Sequence, residues 1–169
     1  SSNVFAQPRS LIYLSPHARL QIVETYITIG QSDSFSNQVM EVVTMQDAQL
    51  EYYKIQNDNL EANLIDNTYV SQKMESTVSV NTFSFGGNLT RNNLNFYHYG
   101  ERIVSHLNGI TIIGDSQHVD HYTLVRHEQP NCESHQDYKG IFSDRSTGVF
   151  NGKIFVEKEA QKTNAFQKS

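Results

Sequence analysis

The chain has 169 residues, a formal net charge of -5, one cysteine and no tryptophan. A chain of this size suits one domain that buries roughly 70% of its unfolded surface. It shows no Lys/Arg block of the kind that follows a phosphate backbone, no cysteine pair for an internal disulfide and no apolar run near the ~20 residues that span a bilayer. Nucleic acid and membrane are therefore not expected partners, and with no basic-then-apolar signal stretch the expected location is a reducing cytoplasm.

Asn and Gln are abundant, and Tyr and Phe occur nine times each. Asn is a weak helix former because its amide competes for nearby backbone groups, whereas aromatic and β-branched residues suit pleated surfaces. Strand-like segments follow one another: LQIVETYITI (20–29), VMEVVT (39–44), LEYYKIQ (50–56), TVSVNTFSF (77–85), LNFYHY (94–99) and RIVSHL (102–107). The series continues with ITII (110–113), HYTLVRH (121–127), DYKGIFS (137–143) and GVFNGKIFV (148–156). Residues 57–76 read either as a strand pair or as a short helix carrying Leu60, Leu64 and Ile65 on one stripe.

A bulky apolar residue followed by a Gly-containing pair recurs as FGGNLT from Phe85, LNGITI from Leu107 and FNGKIF from Phe150, with turn-like EQPN near the position of a missing copy. Such spacing suggests a coil of about 21 to about 22 residues, repeated as a parallel β-helix in which Asn ladders and aromatic piles run from coil to coil. The competing reading is an antiparallel sandwich with three hairpin turns. In the solenoid register His106 and His127 are neighbours on adjacent strands, Leu107 points inward as Phe85 and Phe150 do, and Gly87, Gly109 and Gly152 form a column.

The stretch HVDHYTLVRHEQPNCES (118–134) concentrates residues of ligand type. On a strand, His121 and His127 share a face with Thr123 and Val125 but stand roughly 20 Å apart, while His118 and Asp120 face the other way. No metal site is expected. Were one present, its ligands would be drawn from His118, Asp120, His121 and Cys132, with His118 and His121 as an adventitious pair. Cys132 lies among acidic neighbours that raise a thiol pKa, so it reads as structural. Phosphate-loop, nucleophile-elbow and C-x-x-C motifs are absent.

The strings GGNLTRNNLNF (86–96), LNGITIIGDSQHVDHYTLVRHEQPNCESHQDYKGIF (107–142) and GVFNGKIFVEKEAQKTNAFQ (148–167) resemble the core of the SufB/SufD family of iron-sulfur cluster assembly proteins, and its SufD branch more closely. The resemblance implies an all-β fold, a right-handed parallel β-helix forming one core domain over 1–169. It also implies a non-enzymatic scaffold of the SUF machinery that pairs with a SufB-like paralogue and a SufC-like ATPase, the nascent iron-sulfur cluster belonging to the full complex. A homodimer is a further way of pairing. Relative to the family pattern the chain reads as a fragment without the N-terminal region and the C-terminal strands and helices, so no catalytic or cofactor-binding residue is carried over. The alternative function is a carbohydrate-active β-helix enzyme using Asp120, Glu128, Glu133 and Asp137 as acid-base groups.

Overall fold

A computed structural model describes residues 3–30 and 32–169. The described residues contain thirteen strands and no helix. They are β1 (Val4–Ala6), β2 (Arg9–Leu14), β3 (Arg19–Tyr26), β4 (Ser34–Thr44), β5 (Gln49–Gln56), β6 (Ala62–Gln72) and β7 (Thr77–Ser84), then β8 (Leu89–His98), β9 (Val104–Ile113), β10 (His118–His127), β11 (Glu133–Phe142), β12 (Thr147–Val156) and β13 (Asn164–Lys168). From β3 onward, odd-numbered strands form one six-stranded sheet; the even-numbered strands, with β1, form a seven-stranded sheet. β1 and β2 lie end to end against β4, and every strand pairing is parallel. The chain is thus an all-β parallel solenoid of two facing sheets, and 57–76 supplies strand β6 with no helix.

The coil is longer than the glycine spacing predicts. Ser34 pairs with Ala62, Leu89 with His118, and His118 with Thr147. The register partners Asn92 and His121 are separated by 29 in sequence, as are His98 and His127, and that separation is the length of one coil there. His106 pairs with His135 in one sheet and His127 with His98 in the other, which removes the expected His106–His127 contact. Gly87 sits in a turn, whereas Gly109 and Gly152 lie within β9 and β12, so the glycine column is absent. Two of the three supposed turns are strand interiors: VSHL of the segment RIVSHL and ITII belong to one continuous strand, Val104–Ile113, through Asn108 and Gly109. Leu107 is fully buried as expected, but Phe85 is 37% exposed.

What repeats is a corner. His17, Asp47, Glu75, Arg102, Asn131 and Lys162 all have positive φ, and each stands between an even-numbered strand and the odd-numbered strand that follows. These left-handed residues cost strain. Inter-coil bonds offset it: His17 N donates to Gln46 O at 2.9 Å, Asp47 N to Met74 O at 3.1 Å and Glu75 N to Glu101 O at 2.9 Å. Side chains stack there too, His17 against Asp47 at 2.9 Å and Arg102 against Glu75 at 2.6 Å.

Alternation along each strand sends every second side chain into the space between the sheets. In mid-strand this makes an apolar column of Val42, Val70, Phe96 and Val125, faced by Tyr52, Val80 and Leu107 from the other sheet. Gly109 also points inward. A Cβ there would come within 2.2 Å of the Tyr138 ring on the next coil, so its small size makes room for that ring. On the outer faces Asn93 Nδ2 donates to Asn67 Oδ1 at 2.9 Å, Asn108 Nδ2 to Asn81 Oδ1 at 3.0 Å, and His106, His135 and Phe166 stack at centroid distances of 5.1 and 5.0 Å. The Asn ladders and aromatic piles expected of stacked coils are therefore present.

Candidate functional site

The apolar column is flanked by polar layers. Near the first corner, Gln72, His98 and His127 follow one another at the ends of β6, β8 and β10, while Ser105 and Ser134 stack near the starts of β9 and β11. His98, His127, Ser105 and Ser134 are all fully buried, and Cys132 is 1% exposed. One nitrogen from each imidazole and Cys132 Sγ lie within 4.8 Å of one another, a group of ligand-type side chains that converges among the described residues.

Hydrogen bonding sets the direction of this layer. Gln72 Nε2 donates to the carbonyls of Ser76 and Val104, each at 3.3 Å, so its Oε1 is the atom that accepts Ser105 O–H at 2.6 Å. Having spent its proton there, Ser105 Oγ accepts from His98 Nε2 at 2.7 Å. A neutral imidazole carries one N–H, which leaves His98 Nδ1 as an acceptor. Facing it at 2.9 Å, His127 Nδ1 must donate, and His127 Nε2 then accepts the Ser134 hydroxyl at 3.1 Å. The thread runs Ser134 to His127 to His98 to Ser105 to Gln72, with every imidazole nitrogen used once. Burial pushes His98 down to about 3, with repulsion from His127 adding to it, and burial alone pushes His127 down to about 4, so both rings are neutral near pH 7. Burial raises the Cys132 thiol above its usual value, and its S–H faces the Gly100 carbonyl at 3.3 Å.

The residues singled out in 118–134 separate. His118 and Asp120 stand on the outer face of β10, and Asp120 pairs with Arg91 at 3.0 Å. His121 turns inward at the opposite end of the strand from His127. It bonds Thr111 Oγ1 at 2.8 Å and Asn92 Nδ2 at 3.3 Å, and burial pushes it down to about 4. His118, His121 and Asp120 therefore do not converge, whereas Cys132 does, on His127 and on His98 from the preceding coil.

The second polar layer holds a buried ion pair. Lys54, 4% exposed, donates to Asp66, 2% exposed, and to Thr68 Oγ1 at 2.8 Å. Beside it Glu24 accepts from the hydroxyls of Tyr26 and Tyr52, both phenols being raised first by burial. These groups satisfy one another and leave no free nucleophile.

The four acidic candidates for sugar chemistry are dispersed. Glu128 lies 3.4 Å from Arg126, Glu133 pairs with His135, and Asp137 lies 3.3 Å from Lys139. Glu133 and Asp137 share the outer face of β11, four residues or about 13 Å apart, beyond the roughly 5–9.5 Å that a glycosidase carboxylate pair requires. Asp120 belongs to the other sheet.

A family model described as the SufBD core domain of SUF-system FeS cluster assembly matches residues 1–169. The chain is 27% identical to an iron-sulfur cluster assembly SufBD family protein of Synechocystis sp., over 97% of this chain and 38% of that protein. It is 27% identical to the chloroplastic protein ABCI7 of Arabidopsis thaliana, over 96% of this chain and 34% of that one, and 24% identical to the iron-sulfur cluster assembly protein SufD of Escherichia coli, over 94% and 38%. The chain thus spans little more than a third of the length of these relatives.

Proposed function

Because the chain belongs to the SufBD core-domain family of the SUF iron-sulfur cluster assembly system, we propose that it is the solenoid of a non-enzymatic scaffold of the SufD type on which iron-sulfur clusters are put together. It works in the cytoplasm beside a SufB-like paralogue and a SufC-like ATPase, and the cluster is cargo of the whole complex. The observation that carries this reading is the family match over the entire chain, with cluster assembly in the names of relatives from Synechocystis sp. and Escherichia coli. The fold supports it physically. A stack of parallel coils with mostly paired polar groups inside is a stiff body suited to presenting surfaces, and the four acidic residues considered for sugar chemistry are dispersed on it.

The test is reconstitution with the full-length protein. Co-expressed with a SufB-like paralogue and a SufC-like ATPase, it is expected to co-elute with both and to raise the yield of cluster formed from iron and sulfide. Failure to associate with either protein, together with turnover of a polysaccharide by the full-length protein alone, would replace the scaffold by the carbohydrate reading.

A further inference from the structure

We propose that His98, His127 and Cys132 form a buried binding site for one borderline-to-soft d-block cation of the Zn2+ class, held by two imidazole nitrogens and one thiolate. The inference rests on the geometry of these residues and is independent of the assembly reading.

Consecutive coils build the site. His98 and His127 are register partners at the ends of β8 and β10, and Cys132 lies immediately before β11 on the facing sheet, where the corner brings it back against them. Zinc bonds of ~2.0–2.1 Å to nitrogen and ~2.3 Å to sulfur, at tetrahedral angles, set donor atoms about 3.3–3.6 Å apart. The two Nδ1 atoms stand 2.9 Å apart, and one nitrogen of each imidazole lies within 4.8 Å of Cys132 Sγ, so binding needs the rings to open by a few tenths of an ångström and the thiol to draw in toward them. The donor set contains no carboxylate, which disfavours Mg2+ and Ca2+ and favours a thiophilic cation.

The surroundings are those a metal-binding histidine needs. Each Nε2 is already anchored by a serine hydroxyl, and Ser105 is in turn fixed by Gln72. Such outer partners orient the ring and leave the opposite nitrogen for the metal. Proton balance is simple. The Cys132 thiol loses its proton to solvent, and the proton between the two Nδ1 atoms moves to His127 Nε2, where Ser134 turns to accept it. Both Nδ1 lone pairs then face the cation, and one proton is released per metal bound.

Chelator-treated full-length protein is titrated with Co2+ and with Zn2+. One equivalent of Co2+ is expected to add a thiolate-to-cobalt charge-transfer band and tetrahedral visible bands, and Zn2+ to displace it. Cys132→Ser, which keeps a small side chain at a buried position, is expected to lose the charge-transfer band and to bind Zn2+ more weakly by about tenfold or more, the scale seen even for disturbed outer partners. His118→Ala is expected to bind as the unchanged protein does. X-ray absorption of the zinc-loaded unchanged protein, which needs no variant to fold, is expected to show one sulfur and three nitrogen or oxygen ligands, two of them imidazole and the fourth a solvent water. Absence of stoichiometric binding, zinc bound without sulfur, or binding undiminished in Cys132→Ser would overturn the proposal; the last two results would point to surface residues such as the stacked His106 and His135.

Discussion

Replacing Asp66 by Ala is expected to destabilise the protein by about 3–5 kcal/mol, the cost of leaving a buried charge without its partner. Lys54 and Asp66 face each other from opposite sheets, and both side chains are 5% exposed or less. Once Asp66 is gone, the ammonium keeps Thr68 Oγ1 as its bonded acceptor. A hydroxyl dipole does not replace a carboxylate in a low-dielectric interior. The pair itself adds little net stability, because desolvating both ions consumes much of their attraction. The double substitution Lys54→Met with Asp66→Leu is therefore expected to recover most of the loss. Urea unfolding of the two variants measures both effects. A loss below about 1 kcal/mol in Asp66→Ala, the range of exposed pairs, would show that water reaches the site.

Stability of the metal-free protein is expected to fall steeply below about pH 6.5, the range where free imidazoles begin to charge. His98 is pushed down to about 3 and His121 and His127 to about 4, each mainly by burial. In the unfolded chain the same rings titrate near about 6.5. Between those values the unfolded state binds more protons than the folded one, so stability is fully present above about pH 6.5 and is lost as pH falls toward about 4. Each ring contributes up to about 1.4 kcal/mol per pH unit, which is roughly 3 kcal/mol over the window of His121 or His127 and about 5 kcal/mol over the wider window of His98. Urea midpoints measured with a chelator at pH 7.5, 6 and 5 follow the trend. Equal midpoints across that range would mean that the three rings take up protons inside the fold.

The architecture is legible in part from the chain alone. Strand-forming residues, the scarcity of helix signals and the family strings point to a parallel solenoid, and alternation along HYTLVRH places His121, Thr123, Val125 and His127 on one inward face. The period is not legible from glycine, because the left-handed residues at the corners after even-numbered strands are His17, Asp47, Glu75, Arg102, Asn131 and Lys162, and at the other corners Asp115 and Asp144 take that conformation beside Gly30 and Gly87. Backbone hydrogen bonds to the next coil hold His17, Asp47, Glu75 and Asn131 in a conformation that favours glycine. Asn108-Gly109 and Asn151-Gly152 look like turns, yet both lie within strands, and the first makes room for Tyr138.

A better signal is present in the polar residues. His98 is followed after seven positions by Ser105, and His127 after seven by Ser134, and the doublets Ser105-His106 and Ser134-His135 repeat with the same coil step. Those pairs are the hydrogen-bonded thread itself, so the recurrence has a structural cause. Sequence neighbours alone make Cys132 look purely structural. Its relevant partners, His98 and His127, come to it through coil stacking, which local spacing does not reveal.

The central claim is that parallel coils stack with the register that sets His98 directly against His127. Nitrogen-15 NMR of the chelator-treated full-length protein tests it most directly, since scalar coupling passes through an N–H···N hydrogen bond. The account predicts coupling between His127 Nδ1 and His98 Nδ1, with the protons on His127 Nδ1 and His98 Nε2. Coupling absent while both rings exchange freely between tautomers, in a protein otherwise folded, would contradict the register and the site built on it.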